Sequence, residues 1–305
     1  MTLRPAHGSA ADAPPPDFHV DVGLAARLVS SQHPDLAGPL ALVANGWDNA
    51  IFRLGEDLAV RLPRRVLAVP LLEHEQRWLP DLAGHLPVAV PTPVRIGRPS
   101  PELGYDVPWS IVPWLAGRSA TEFRVEQRDV AARELAVFVT ALARPAPPDA
   151  PNNAYRGVPL AHRDDTMRAR FAGGRLTDAA RLVPLWDRAL AAPAWAGPKL
   201  WVHADLHPAN LLLATSGHLS AVIDFGDLTA GDPATDLATA WLTFSPAGRR
   251  VFRAEVEARM QVDAATWERA RGWALVIASA VVEATGTTSP LGRVAAYVLD
   301  QLIAD

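Results

Sequence analysis

Apolar and polar positions along this chain change period several times, and those changes outline its elements. Between residues 21 and 31 the apolar residues Val22, Leu24, Ala25, Leu28 and Val29 recur at helical spacing, which predicts an amphipathic helix. Three short strand-like runs follow, at residues 40–44, 50–54 and 58–62. Their separators, Asn45-Gly46-Trp47-Asp48-Asn49 and Gly55-Glu56-Asp57, have hairpin chemistry, so antiparallel pairing is expected. A helix over residues 71–82 comes next, then a connection carrying Pro87, Pro91 and Pro93, then a strand pair ending within residues 109–115. Beyond it the spacing turns helical over residues 121–142 and 178–192, around a polar, Pro-rich insert at 144–165. Residues 199–202, 210–213 and 219–223 read as strands, the last two joined by the turn chemistry of Thr215-Ser216-Gly217-His218. Residues 233–244, 246–260, 263–283 and 291–303 read as four further helices. Residues 1–20, rich in Ala and Pro and including Pro14-Pro15-Pro16, are expected to be a disordered tail.

The chemistry concentrates after residue 200. Asp205 lies in His203-Ala204-Asp205, Asn210 follows five residues later, and Asp224 opens Asp224-Phe225-Gly226 nineteen residues after Asp205. Phosphoryl transfer to a hydroxyl uses one carboxylate to orient the attacking group, and an Asn and an Asp to hold Mg²⁺ on the nucleotide phosphates. Asp205 suits the first role; Asn210 and Asp224 suit the second, since both offer the hard oxygen atoms Mg²⁺ prefers. A hairpin of the flanking strands is expected to bring Asn210 and Asp224 together, and Pro208 restricts the backbone just before Asn210.

These motifs resemble those of the aminoglycoside phosphotransferase family, small-molecule kinases with a protein-kinase-like fold. The family's H-x-D-x-x-x-x-N is met by His203, Asp205 and Asn210, and its I-D-[FW]-[GE] by Ile223, Asp224, Phe225 and Gly226. The stretch Gly231-Asp232-Pro233, with Asp236 and Leu237, is similar to the family's as well. The resemblance implies a two-lobed α+β fold: an antiparallel-sheet, nucleotide-binding lobe at 21–115 and a larger, mainly helical lobe at 116–305 for catalysis and acceptor binding. It implies ATP or GTP as co-substrate with Mg²⁺, and a small-molecule hydroxyl as acceptor, an aminoglycoside or a macrolide among the candidates. The Asn45-to-Asn49 turn would cover the phosphates, with Asn49 at its end, and Pro113 and Trp114 would lie at an adenine-holding hinge. The family carries a lysine on the third strand, paired to a glutamate on the next helix. Here Arg61 stands in that place, with Glu75 preferred over Glu73 as its partner. Arginine keeps the charge but presents a larger, planar fork of a different shape.

Composition narrows the alternatives. Hydrophobic residues make up 49% and charged residues 20%, as in ordinary globular enzymes, and a net charge of −4 gives no reason to expect a nucleic-acid partner. There is no cysteine, so disulfides and thiolate-held metals are excluded. The most apolar run, residues 273–282, is too short to span a bilayer, no signal core follows the N-terminus, and a cytoplasmic enzyme is expected. A metallohydrolase built on His203, Asp205 and His207 is one competing reading, because on a strand the three side chains would share a face. It leaves Asn210 and Asp224 without a role, and the remaining histidines are scattered. A pseudokinase that binds nucleotide without transfer is another, and Arg61 is its main support. His203 is expected to prop its loop, His207 to pack there or touch substrate, and Asp232 and Asp236 to cap or brace the following helix. Trp241, Trp267 and Trp273 are expected in the core. The oligomeric state, the acceptor and the choice between resistance and housekeeping roles are not legible.

Overall fold

The computed structural model describes residues 15–305. The chain divides into two compact units: one holds Met1–His85, Ala89–Ala116 and Ala221–Gly226, the other Leu86–Val88, Gly117–Ser220 and Asp227–Asp305. The short return of residues 221–226 carries Asp224 into the first unit.

The first unit contains α1 (Val22–Gln32), β1 (Leu40–Asn45), β2 (Asn49–Leu54), β3 (Leu58–Pro63), α2 (Val69–Ala83), β4 (Arg95–Gly97) and β5 (Trp109–Pro113). The strands make one antiparallel sheet in the order β1-β2-β3-β5-β4. Asp21 starts α1 by accepting the Leu24 N–H at 2.7 Å, and the helix buries Leu24, Ala25, Leu28 and Val29. These pack with Phe52, Val60, Leu62, Trp109 and Ile111 in the unit's core. Strict alternation on β2 sends Ala50, Phe52 and Leu54 inward. On β3 the same alternation puts Val60 and Leu62 in that cluster and Arg61 on the opposite face.

The second unit contains β6 (Arg118–Ser119), α3 (Val125–Arg128), α4 (Ala132–Leu142), α5 (Asp164–Ala172), α6 (Ala179–Ala191), β7 (Leu200–Val202), β8 (Leu211–Leu213), β9 (Leu219–Val222, continuing into the first unit), β10 (Thr229–Gly231), α7 (Ala234–Leu237), α8 (Thr239–Thr243), α9 (Pro246–Arg259), α10 (Ala264–Thr285) and α11 (Pro290–Ala304). β6, β8 and β9 form a small sheet, and β7 pairs antiparallel with β10. Helix α10 is apolar around most of its circumference, burying Trp267, Ala270, Trp273, Leu275, Val276 and Ile277, and so serves as the unit's central helix. Trp241, Trp267 and Trp273 are all buried, as expected.

Several expectations are corrected. Of the expected tail, residues 1–14 lie outside the described residues, but Asp17 and Phe18 are pinned to the first unit. Their N–H groups donate to the Arg64 carbonyl at 2.8 and 3.1 Å, and Phe18 meets Tyr105 edge-on at 5.9 Å. The helix expected over 121–142 is broken into a 3₁₀ turn, α3, a second 3₁₀ turn and α4. Buried Arg128 folds back on the Phe123 carbonyl there, and the Asp129 carboxylate holds the Ser245 amide at 3.0 Å. The helix expected over 233–244 is two short pieces, α7 and α8. After the insert comes α5, which sequence periodicity does not show because the helix buries only Met167 and has little apolar spacing. Asn210 belongs to a 3₁₀ turn, Pro208–Asn210, rather than to the strand after it. β10 was missed, being too short to show alternation. Among the described residues no helix is long and apolar enough to cross a membrane.

Candidate active site

In the first unit, β3 presents Arg61 to α2. Its guanidinium is buried and forms a two-pronged ion pair with Glu75, Nη1 to Oε2 and Nη2 to Oε1 at 3.1 Å. Burial works to lower the Arg61 pKa, but the charge and hydrogen bond of Glu75, with the charge of Asp224, together outweigh it and the net shift is upward. Glu75, not Glu73, is therefore the partner, and Arg61 is no surface charge. Asp224 lies within electrostatic reach of both members of the pair. Its backbone is left-handed, φ 65°, a costly conformation for a residue with a Cβ.

The turn between β1 and β2 adds groups that sequence reasoning missed. The Asp48 pKa is raised, first by burial and then by the neighbouring charge of Asp224, against the pull of Arg65 at 3.3 Å. Arg64 donates its N–H to the Asp48 carbonyl at 2.7 Å and its Nη1 to the Gly46 carbonyl at 2.5 Å. A signal was available: the hairpin register places Pro63 opposite Asn49, so Arg64 and Arg65 must flank the turn. The Asn49 Oδ1 is buried without a hydrogen-bond partner. At the end of β5, Pro113 sits opposite Leu58, the Trp114 N–H donates to the Asp57 carbonyl at 2.7 Å, and Arg53 covers the Trp114 ring at 4.1 Å. The Trp114 amide is thus already spent inside the unit.

In the second unit, β7 ends at Val202 and the chain enters a tight loop, with Ala204 left-handed at φ 71°. That turn breaks the strand geometry on which a three-ligand metal face depended. The ring nitrogens are engaged too: His203 Nδ1 accepts the Asp205 N–H at 3.3 Å, and His207 Nδ1 accepts the Ala209 N–H at 3.2 Å. Among the described residues no group of three metal-binding side chains is assembled. His203 props the loop, as expected.

The loop converges on Asp205. The Asn210 amide nitrogen donates to the Asp205 carbonyl at 2.9 Å and to Oδ2 at 3.0 Å, which leaves the Asn210 carbonyl oxygen as its remaining polar end. His207 Nε2 lies 3.2 Å from the same Oδ2. Because its Nδ1 is an acceptor, Nε2 carries the proton and donates to the carboxylate. Arg156 Nη2 approaches the other oxygen, Oδ1, at 3.7 Å. Burial acts to raise the Asp205 pKa, but the interaction with His207, which includes its hydrogen bond, and the nearby Arg156 guanidinium together outweigh it and hold the group well below the ordinary carboxylate range.

Two further carboxylates support the loop. Asp236 does not cap its own helix: its oxygens accept the His203 and Ala204 N–H groups, each at 2.7 Å, and so fasten the loop to α7. Asp232 does brace the following helix, accepting the Ala234 N–H at 3.0 Å, and it also pairs with Arg269 of α10 at 2.6 Å.

The first unit thus holds a buried Arg–Glu pair beside an Asp-Phe-Gly segment, and the second an Asp bonded to an Asn five residues on. The model for the phosphotransferase enzyme family matches residues 39–273, and the chain belongs to that family; it is a small-molecule phosphotransferase. No curated protein sequence matches the chain significantly. Among solved structures, it is similar to the GDP complex of wild-type aminoglycoside 2'-phosphotransferase-IIIa, at 18% identity and TM-score 0.64, over 91% of this chain and 97% of that one. It is similar to macrolide 2'-phosphotransferase MphH from Brachybacterium faecium at 24% identity and TM-score 0.60, over 91% and 98%. The streptomycin-ATP-APH(2")-IIa ternary complex is matched at 16% identity and TM-score 0.56, over 87% and 90%. These likenesses establish the fold as protein-kinase-like.

Proposed function

We propose that this enzyme moves the γ-phosphoryl group of ATP or GTP to a hydroxyl of a small, largely uncharged molecule, with Asp205 orienting that hydroxyl. The observation that carries the reading is the state of Asp205: an ionised carboxylate whose Oδ2 is held by His207 and Asn210 while, among the described residues, Oδ1 has the longer Arg156 contact alone. A fixed anion with one lightly committed oxygen is suited to accept a hydroxyl proton and aim its oxygen. In a loose phosphoryl-transfer transition state, such orientation counts for more than strong basicity.

Asn210 and Asp224 fit Mg²⁺ as ligands because each offers a hard oxygen, and the Asn210 amide nitrogen is already spent on Asp205. The ion would supply charge neutralisation on the nucleotide phosphates. Arg61 takes the family lysine's place in the pair with Glu75, which supports a working kinase over a pseudokinase. Asn49, Pro113 and Trp114 remain the candidates on the nucleotide side, with Trp114 acting through its ring or carbonyl, since its amide is occupied.

A neutral acceptor is supported by the commitments of five of the seven carboxylates after Ala238, all but Glu268 and Asp300. Glu255 pairs with Arg133 and Arg259, Glu257 takes the Trp267 indole N–H, Glu283 pairs with Arg170, Asp263 caps α10, and Asp305 holds Arg249 and Trp241. Those five are committed to arginines, an indole or a helix N-terminus and so are less free to meet the several ammonium groups of a polycation.

The direct test is thermal stabilisation by ATP and by GTP, with and without Mg²⁺. A nucleotide at 100 times its Kd should stabilise the protein by about 2.7 kcal/mol. The shift should require Mg²⁺ and disappear in Asp224→Ala. In the same assay series Asp205→Asn should keep the shift and lose ~10²–10⁴-fold in turnover. Absence of any shift at millimolar nucleotide, or wild-type turnover in Asp205→Asn, would refute the reading.

A further inference from the structure

The Pro-rich insert between α4 and α5 is tied down more firmly than a connection requires. The Pro151 carbonyl accepts the Ala230 N–H at 3.1 Å and the Thr229 hydroxyl at 2.8 Å. The Asn153 N–H donates to Thr229 Oγ1 at 3.0 Å, and its side-chain nitrogen donates to Asp227 Oδ1 at 2.6 Å. Asn153 Oδ1 in turn accepts the N–H groups of Tyr155 and Arg156 at 2.8 and 3.1 Å, fixing the backbone just where Arg156 leaves it. The Gly157 carbonyl then receives the Asp232 N–H at 3.1 Å. Gly157 is left-handed at φ 68°, and a Cβ on Gly231 would lie 2.1 Å from the Gly157 carbonyl oxygen, so the two backbones meet only because both residues are glycine.

This anchorage delivers one charged side chain. The Arg156 side chain is 17% exposed, its Nε–H is buried without a partner, and the anion it reaches is Asp205 Oδ1 at 3.7 Å. A guanidinium so placed is costly to bury, and a loose single contact does not repay the cost. Nearby Arg163 adds repulsion: its pKa is lowered by burial and then by the charge of Arg156. The contact is also one-sided, because His207 and Asn210 both hold Oδ2 and leave Oδ1 to Arg156.

We infer that Arg156 is a positioning residue for the phosphoryl transfer proposed above, fixing the rotamer of Asp205 so that Oδ1 faces the acceptor hydroxyl. The inference rests on that reading of the site. Through a carboxylate displaced by as little as an ångström, Arg156→Met should lower kcat by roughly tenfold to a hundredfold. The KM for nucleotide and the Mg²⁺-nucleotide thermal shift should stay at wild-type values. Arg156→Lys should recover part of the loss, since it restores the cation without the fork. Asn153→Ala, which unhooks the insert and frees the Arg156 backbone while leaving its guanidinium in place, should lower kcat in the same direction. A purely structural role would instead lower Tm in Arg156→Met and leave kcat per folded molecule unchanged; that result overturns the inference alone. Should the wild-type protein neither shift with Mg²⁺-nucleotide nor transfer phosphate to any acceptor, the parent reading fails and this inference falls with it.

Discussion

At position 61 the chain carries arginine where the resemblance leads one to expect lysine, and the consequence is decided by the surroundings. Glu75 is almost fully buried, and both its oxygens are met by the guanidinium. Removing the fork in Arg61→Ala would leave that carboxylate buried and uncompensated, which should cost ~3–5 kcal/mol in urea unfolding. Arg61→Lys keeps a cation but replaces a planar two-pronged contact with a point charge, so most of the stability should survive while nucleotide affinity drops. Equal unfolding midpoints for Arg61→Ala and the wild type would show that the pair is not a structural unit. The choice of Glu75 over Glu73 was open to reading from the family's order of elements, but the degree of burial was not. It depends on α2 covering the face of β3 opposite α1, and no local pattern records that.

Among elements, α7 has a role its length conceals. A helix of this size adds little by itself, yet it carries Asp236, whose carboxylate takes the two N–H groups at the strained start of the Asp205 loop. Asp236→Ala would orphan both donors in a buried setting, at ~1–3 kcal/mol each, and should unfold at lower urea than the wild type. Asp236 also imposes a pH dependence. Burial pushes its pKa up to about 7, the two N–H bonds notwithstanding. The folded protein therefore keeps a proton here that the unfolded chain releases near its ordinary value of about 4. The stability this supplies is complete below that ordinary value and is lost as pH rises through about 7. The Tm advantage of the wild type over Asp236→Asn should accordingly narrow between about pH 4 and about pH 7; an advantage constant across that range would rule this out.

The same element shows what the sequence makes legible. The strands of the first unit announced themselves because alternation is enforced by a core on one side, and α1 and α10 because a cap precedes each apolar stripe. The motif residues Asp205 and Asn210 were legible because their chemistry is local to one loop. Arg156 and Asp236 act on that loop from 49 and 31 residues away, through backbone contacts made by an irregular insert and a one-turn helix. Their partnership is a product of tertiary packing, and neither period nor spacing encodes it.

For the molecule as a whole, the question that sequence counting left open was whether dispersed carboxylates gather into a pocket for a cationic acceptor. After Ala238 arginines and carboxylates are equal in number, seven each, and the structure pairs most of those carboxylates with arginines, indoles or a helix N-terminus. An acceptor carrying several ammonium groups would have to break such pairs or bind without counter-charges. A neutral, apolar hydroxyl compound has no such cost. Transfer to a macrolide, apolar and with at most a single amine, should therefore proceed with a KM that changes little between about 50 mM and about 500 mM salt, since little long-range attraction is there to be screened. An aminoglycoside should be a poor acceptor at either salt. If the aminoglycoside is instead the better acceptor, and its KM climbs steeply with salt, then acidic groups other than the five committed ones form its pocket and the assignment of a neutral acceptor is wrong, while the phosphotransferase reading stands.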